Sequence, residues 1–383
     1  MKKLLFNIFL ICTFTSCSES SLQDANKHDW TIFRGSPSLC GYTENRLSDN
    51  PQMIWSTTTK TRTVSAPIVF NNVVYTLSKK GELRGYTLEG DSCAYYNFDT
   101  TVEAPFTVSN GILYVGRIDG FVTALDISDS SNLISQQHLW DYETEGQISG
   151  SPNLVGGNLL VGSYDNFMYT FDAKTGSKLS QYETGYYING AAAVWDKYMV
   201  FGGCDAWVRI VDTTNGEVTD SLKLDSYVPA SPAIYKGDVT ICDYNGNVYE
   251  MNLDKGKIAS SRKLVEVIKG EDNETEGSVA MPTVTKDAVY ILSGDRYLAR
   301  IDKKDGSVKY KKMLRGQTGE CSPIVARDKV LVCTKDGHVS IFNADDGAEI
   351  WHYEVGEQII ASPAVIDDRF FILTSRGTLL CFK

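Results

Sequence analysis

Apolar and polar residues alternate along most of this chain in short runs, and the runs recur in a fixed order. In CSPIVARDKVLVCTKDGHVSIFNADDGAEIWHYEVG, from Cys321, a small-Ser-Pro start leads into an alternating apolar strand. A turn ending in Gly, a second alternating strand, an Asp/Asn-rich turn and a last strand complete the unit. GSPNLVGGNLLVGSYDNFMYTFDAKTGSKLSQYETG, from Gly150, follows the same order, and ASPAVIDDRFFILTSRGTLLCFK, from Ala361, follows its first half. Period-two runs of about four to six residues are strands, and here they suit sheets whose two faces both pack on neighbours.

Aligned on the proline, the units fall at Pro67, Pro105, Pro152, Ala192, Pro232, Pro282, Pro323 and Pro363, with steps of 38, 47, 40, 40, 50, 41 and 40 residues. Eight units at a period near 40 predict an all-β, eight-bladed β-propeller built from four-stranded antiparallel blades. For the seventh unit the strands are expected over 323–325, 329–333, 338–343 and 349–353. The turns fit this reading. Asp172-Ala-Lys-Thr-Gly176, Asp302-Lys-Lys-Asp-Gly306 and Asn343-Ala-Asp-Asp-Gly347 put a side-chain acceptor first and a positive-φ residue last. Asp119-Gly120, Asp165-Asn166, Asn245-Gly246 and Asp336-Gly337 mark the other hairpin turns and are read as turn signals, not metal sites.

The eighth unit stops at Lys383, before a fourth strand. Trp351, Trp140 and Trp55 each lie 12 residues before a unit's proline, so Met53-Ile54-Trp55 has the register of an outer strand without a blade of its own. Residues 51–56 are therefore expected to complete blade eight and close the ring, leaving no open edge. The shared register also predicts the same inter-blade packing for Trp55, Trp140 and Trp351.

The N-terminus changes the picture from fold to location. Two lysines, an apolar stretch of about a dozen residues and then small residues make a signal peptide over 1–16, too short to span a bilayer as a helix. Thr15-Ser16-Cys17 resembles the lipobox of bacterial lipoproteins, which implies lipidation at Cys17 and a lipid anchor in the membrane. Residues 17–29 then read as a polar tether and 30–383 as a single propeller. Ser18 is not the aspartate of the inner-membrane retention signal, which favours the outer membrane; the periplasmic side is preferred, with surface exposure open.

Composition narrows the partners. Net charge is −11, and loss of the leader's two lysines takes it to −13, so nucleic acid and anionic lipid are not expected ligands. Seven cysteines follow Cys17, at 40, 93, 204, 242, 321, 333 and 381, with no CxxC spacing; buried thiols inside strands are the expectation, with one isolated pair left open. The four histidines, His28, His138, His338 and His352, sit at different repeat positions, and no zinc site is predicted.

The small-Ser-Pro start, the Asp-x-x-Thr-Gly turn and the outer-strand tryptophan together resemble the pyrroloquinoline-quinone-type β-propeller repeat family. Residues 170–180 (TFDAKTGSKLS) and 341–351 (IFNADDGAEIW) carry most of the likeness, and Trp30-Thr-Ile-Phe-Arg-Gly35 resembles the start of exported members. The resemblance covers about residues 30–383. It implies either a quinone-dependent dehydrogenase or the non-catalytic, BamB-like branch of outer-membrane lipoproteins. The Cys-Cys pair characteristic of the dehydrogenases is absent, and the largest additions between blades, 128–137 and 266–276, are short. No cofactor is therefore expected.

Two classes of function remain. In the favoured one the protein is a non-enzymatic envelope scaffold, its partner an envelope protein of the kind involved in outer-membrane protein assembly. Recognition would use the loop aromatics Tyr186, Tyr187, Trp207, Tyr227 and Tyr244, since exposed aromatics dominate protein interfaces. In the alternative, a glycan or small molecule, bound or cleaved, occupies the central channel. Glu103 and Glu320 enter inner strands two and seven, and Asp205 and Asp243 follow second strands four and five. Paired carboxylates could act as acid and base on a glycan; equally, acids at turns solvate a rim. Clustering of Glu103, Glu320 and Asp243 about one pocket would favour the alternative, and dispersal would count against it.

Overall fold

The computed structural model describes residues 28–128, 138–265, 280–294 and 296–383. Cys17, the tether as far as residue 27 and most of the two additions lie outside these residues. Within them the strands form eight sheets, each antiparallel from its inner to its outer strand, and the eight-bladed propeller is confirmed. Blade 7 comprises Ile324–Ala326, Lys329–Cys333, His338–Asn343 and Glu349–Glu354. Inner strands of neighbouring blades touch around the axis, including those of blades 1 and 8 (Ile68–Phe70 and Ala364–Ile366).

Burial peaks in the second and third strands of a blade and falls off at the outer one, as in blade 3. Second strands such as Val73–Leu77 and Tyr198–Gly202 are buried at every position, because both faces press on adjacent blades. Outer strands such as Lys178–Glu183 alternate between exposed and half-buried. The turns before the outer strands share one construction. Gly176, Gly216, Gly306 and Gly347 donate N–H to the carbonyls of Asp172, Asp212, Asp302 and Asn343 at 2.8–3.0 Å, and a register shift follows in each blade. Gly176 must be glycine on two counts: its φ is +72°, and a Cβ there would sit 2.5 Å from the Trp140 indole.

Ring closure uses the chain's two ends. Met53–Thr58 pairs antiparallel with Thr378–Phe382, from Met53 opposite Phe382 to Thr58 opposite Thr378. Gln52 and Lys383 exchange both backbone hydrogen bonds, at 2.7 and 3.0 Å.

One outer-strand position latches each of several blades to the next. Trp140 Nε1 donates to Ala173 O at 3.1 Å, Trp55 Nε1 to Leu88 O at 2.9 Å, and Tyr310 Oη to Ala344 O at 3.2 Å. The Arg262 guanidinium donates to the carbonyls of Lys303 and Lys304. Every acceptor lies in the turn before the next blade's outer strand. Trp351 has the same register, opposite Ile341, and packs edge-on against Phe370 and Phe382 of blade 8 at 6.1 and 5.6 Å. The third and outer strands of blade 8 come from opposite ends of the chain, so no connecting turn offers Trp351 a carbonyl.

The axis holds a feature that the periodicity did not reveal. Residues 30–46 run along the free edges of the inner strands and bond to all eight blades in order. Trp30 bridges Val69, and Thr31 O accepts from Val108 N at 2.8 Å. Pro37 O accepts from Asn153 Nδ2 at 2.7 Å and from Val194 N at 2.9 Å. Ser38, Cys40 and Gly41 carbonyls accept from Ile234, Val284 and Val325, each at 2.9 Å, and Arg46 N reaches Asp367 O at 3.1 Å. Tyr42–Thr43 lies parallel to Ile324–Ala326 as a fifth strand on blade 7. The free edges of the inner strands need partners, and the chain's own segment supplies them.

Arg34 pins this segment. It is fully buried and donates to Leu39 O (3.0 Å), Cys40 O (3.3 Å), Pro282 O (2.8 Å), Thr283 Oγ1 (2.7 Å) and Pro323 O (3.5 Å). Burial pulls its pKa down to about 10, which leaves it charged at neutral pH. The charge is solvated by carbonyl dipoles and one hydroxyl.

Candidate functional site

Inter-blade loops and the turns between second and third strands share one face of the ring, and among the described residues several loops are tied to the following turn. Tyr164, Cys204, Tyr244 and Lys335 donate N–H to the loop carbonyls of Gln147, Tyr187, Tyr227 and Gln317 at 2.8–3.0 Å. The turn aspartates answer from the other side. Asp165, Asp205 and Asp336 accept from the loop N–H groups of Glu145, Gly185 and Gln317 at 3.0, 2.8 and 3.1 Å. Burial works against the charge of Asp205, but Arg209 and the N–H groups of Gly185 and Trp207 outweigh it, holding the carboxyl below its usual range. These acids brace the loops.

On this frame blades 3 to 5 carry tyrosines. Tyr164 stacks on Tyr187 with ring centres 5.0 Å apart and planes 6° from parallel, and Tyr186 lies 4.4 Å from Tyr187. Tyr227 stacks on Tyr244 at 4.4 Å. Tyr186, Tyr187 and Tyr244 are 52%, 40% and 39% exposed, a high fraction for rings already packed on one side. Desolvation and the Tyr244 hydroxyl push Tyr227 up to about 12. Between the pairs Asn189 Nδ2 meets Cys204 Sγ at 3.2 Å. Trp207 stands apart: half-buried in blade 4 opposite Lys223, whose ammonium lies 5.9 Å from the indole centre.

The acids do not converge. Glu103 pairs with Lys79 in the loop before blade 2, and Glu320 is exposed before blade 7. Asp243 corrects the reading of it as a rim or recognition acid. It is fully buried in its own turn, accepting from Asn247 N (2.9 Å), Asn247 Nδ2 (2.8 Å) and Tyr249 Oη (3.2 Å). A second correction concerns the histidines. His338 Nδ1 and His352 Nε2 meet at 3.2 Å across the outer hairpin of blade 7, which antiparallel pairing brings about despite their different repeat positions. Among the described residues no three His, Cys, Asp or Glu side chains could hold a metal ion.

Tyr164 was not singled out from sequence, and the Trp30–Gly35 motif, which contains Arg34, was read as a family likeness without its place along the axis. Tyr164 occupies the same turn position as Tyr244, a signal that aligning the turns would have found.

A family model described as outer membrane protein assembly factor BamB matches residues 90–273 and 272–383. The chain belongs to the BamB family. One relative, the BamB of Moranella endobia (strain PCIT), is 20% identical over 279 residues, 72% of this chain and 60% of the relative's own length. Among solved structures, BamB from Moraxella catarrhalis superposes with a TM-score of 0.72 at 17% identity, covering 87% of this chain and 97% of that one. A quinohemoprotein alcohol dehydrogenase from Comamonas testosteroni gives 0.75 at 12% identity, covering 94% and 81%. A BamB and a dehydrogenase fit equally well, so superposition speaks to the propeller alone. Membership of the BamB family rests on sequence.

Proposed function

We propose that this protein is a non-enzymatic, lipid-anchored scaffold of the bacterial cell envelope, anchored through Cys17 in the outer membrane, and that it docks a protein of the outer-membrane assembly machinery. The observation that carries the reading is the tyrosine strip of blades 3 to 5: exposed rings held on loops that are hydrogen-bonded at both sides. Rigid aromatics lose little conformational freedom on binding and supply most of the energy of a protein interface. Family membership supports the same partner class. The channel alternative loses ground because residues 30–46 line the axis and because Glu103, Glu320 and Asp243 are dispersed over blades 2, 7 and 5.

The test is an affinity pull-down of the natively lipidated protein from a mild-detergent outer-membrane extract, beside a Tyr186→Ala/Tyr187→Ala/Tyr244→Ala variant. The wild type is expected to recover an outer-membrane β-barrel or its assembly partners. The variant should lose more than about tenfold of that recovery while staying folded, its melting temperature lowered only slightly because the two stacked pairs it loses are worth about 0.5–1.5 kcal/mol each. Equal recovery by both proteins would remove the strip from the interface.

A further inference from the structure

Two cysteines of blade 7 stand apart from the other thiols. Cys333 ends the strand Lys329–Cys333, which pairs antiparallel with Ile324–Ala326 so that Leu331 faces Ile324. Cys321 lies just before that inner strand, and in the structure the two cysteines are free thiols lying side by side. Both cysteines are fully buried and belong to one hydrophobic cluster. We propose that Cys321 and Cys333 are joined by a disulfide in the exported protein, a covalent staple across the innermost hairpin of blade 7. The proposal rests in part on the envelope location above, since an oxidising compartment is where such bonds form and persist.

The chemistry fixes when the bond forms. Burial, and then the Cys321 thiol beside it, push the Cys333 thiol well above its ordinary pKa. Cys333 is therefore held as the thiol once the hairpin has folded, and thiolate is the attacking species. The reaction belongs to the folding chain. One cysteine thiolate attacks the disulfide of an envelope thiol–disulfide oxidoreductase, releasing one of its thiols and leaving a mixed disulfide. The second cysteine attacks that bond, forms Cys321–Cys333 and releases the second thiol. Two cysteine thiols are oxidised, and the oxidoreductase disulfide takes up the two electrons and two protons. Blade packing then shields the product from reductant.

The remaining thiols lack this arrangement. Cys204 faces Asn189, Cys40 lies on the axial segment beside Ser36, and Cys93, Cys242 and Cys381 are in three separate blades.

Protein taken from the envelope fraction should be acid-quenched, unfolded, alkylated without reduction and mapped by peptide mass spectrometry. The expected result is one cross-linked peptide pair joining Cys321 to Cys333, with the other cysteines of the propeller alkylated. In parallel, reduced and unfolded chain is refolded in a glutathione redox buffer and mapped in the same way. A link in the refolded chain but not in envelope protein would uphold the pairing and count against the envelope location. No link in either preparation, or a different partner for Cys321 such as Cys40, would overturn the pairing. A Cys321→Ser/Cys333→Ser variant gives an independent readout: added reductant, present during unfolding, should lower the melting temperature of the wild type and leave that of the variant unmoved.

Discussion

Blades 2 and 3 are joined by an indole, and blades 5 and 6 by ions. At the first seam Trp140, 8% exposed, lies between Tyr114 and Phe171 and caps a carbonyl of the following turn. At the second the same register holds Arg262, opposite Glu250, which reaches the equivalent carbonyl while bonding Glu250. Lys303 Nζ sits between Asp238 (2.7 Å) and Glu250 (3.7 Å), its side chain 8% exposed. A polar cleft of ≈ 580 Å³ opens there, lined by these groups with Asn252, Ser260 and Lys286 among others. The difference teaches that the repeat conserves a task, a donor reaching over to the next blade's turn, and leaves open which residue performs it. Apolar filling excludes water from one seam, whereas charge admits it to the other.

The largest test is Trp140→Ala. Removing a buried indole and its latch should cost about 3–5 kcal/mol in urea unfolding, and a loss below about 1 kcal/mol would mean the seam is held elsewhere. Lys303→Met comes next, at about 1–3 kcal/mol, because Asp238 and Glu250 lose a buried partner. Here salt separates the seams. Near 1 M salt, where the screening length is about 3 Å, the gap between wild type and Lys303→Met should narrow while that for Trp140→Ala persists. Two gaps with the same salt response would erase the distinction. Tyr310→Phe is the smallest and the most selective change, deleting one of the two hydroxyls that cap Ala344 O while that of Tyr290 stays in place, and is expected to cost no more than about 1 kcal/mol. If it matches Trp140→Ala in effect, the hydrogen bond rather than the ring makes the latch.

These seams also show what can be read from sequence. The eight units were legible because proline, turn glycine and strand alternation each repeat with the same physical cause. Blade 7 was placed to within a residue or so, its outer strand ending at Glu354 against an expected 353. The tryptophan register was legible where tryptophan occurs. Arg262 escaped because a search for one residue type passes over a guanidinium, and because the addition after it puts it 20 residues before Pro282 instead of 12. Turn acids were legible as turn formers but not by orientation: Asp205 braces a loop, while Asp243 turns inward and is saturated by Asn247 and Tyr249. The axial segment has no repeat of its own, so periodicity is blind to it. Its meaning lies in eight partners scattered over the chain.

The axial segment has a consequence in time. Asn45 bonds to Val365 across 320 positions of sequence, and Arg46 to Asp367, so a stretch made before any of the blades cannot complete its hydrogen bonds until the eighth blade exists. Contacts of such sequence separation are slow to form, because the loop they close must be ordered first. The early residues must wait while seven blades assemble, and their settling against the inner strands registers that the last blade has arrived.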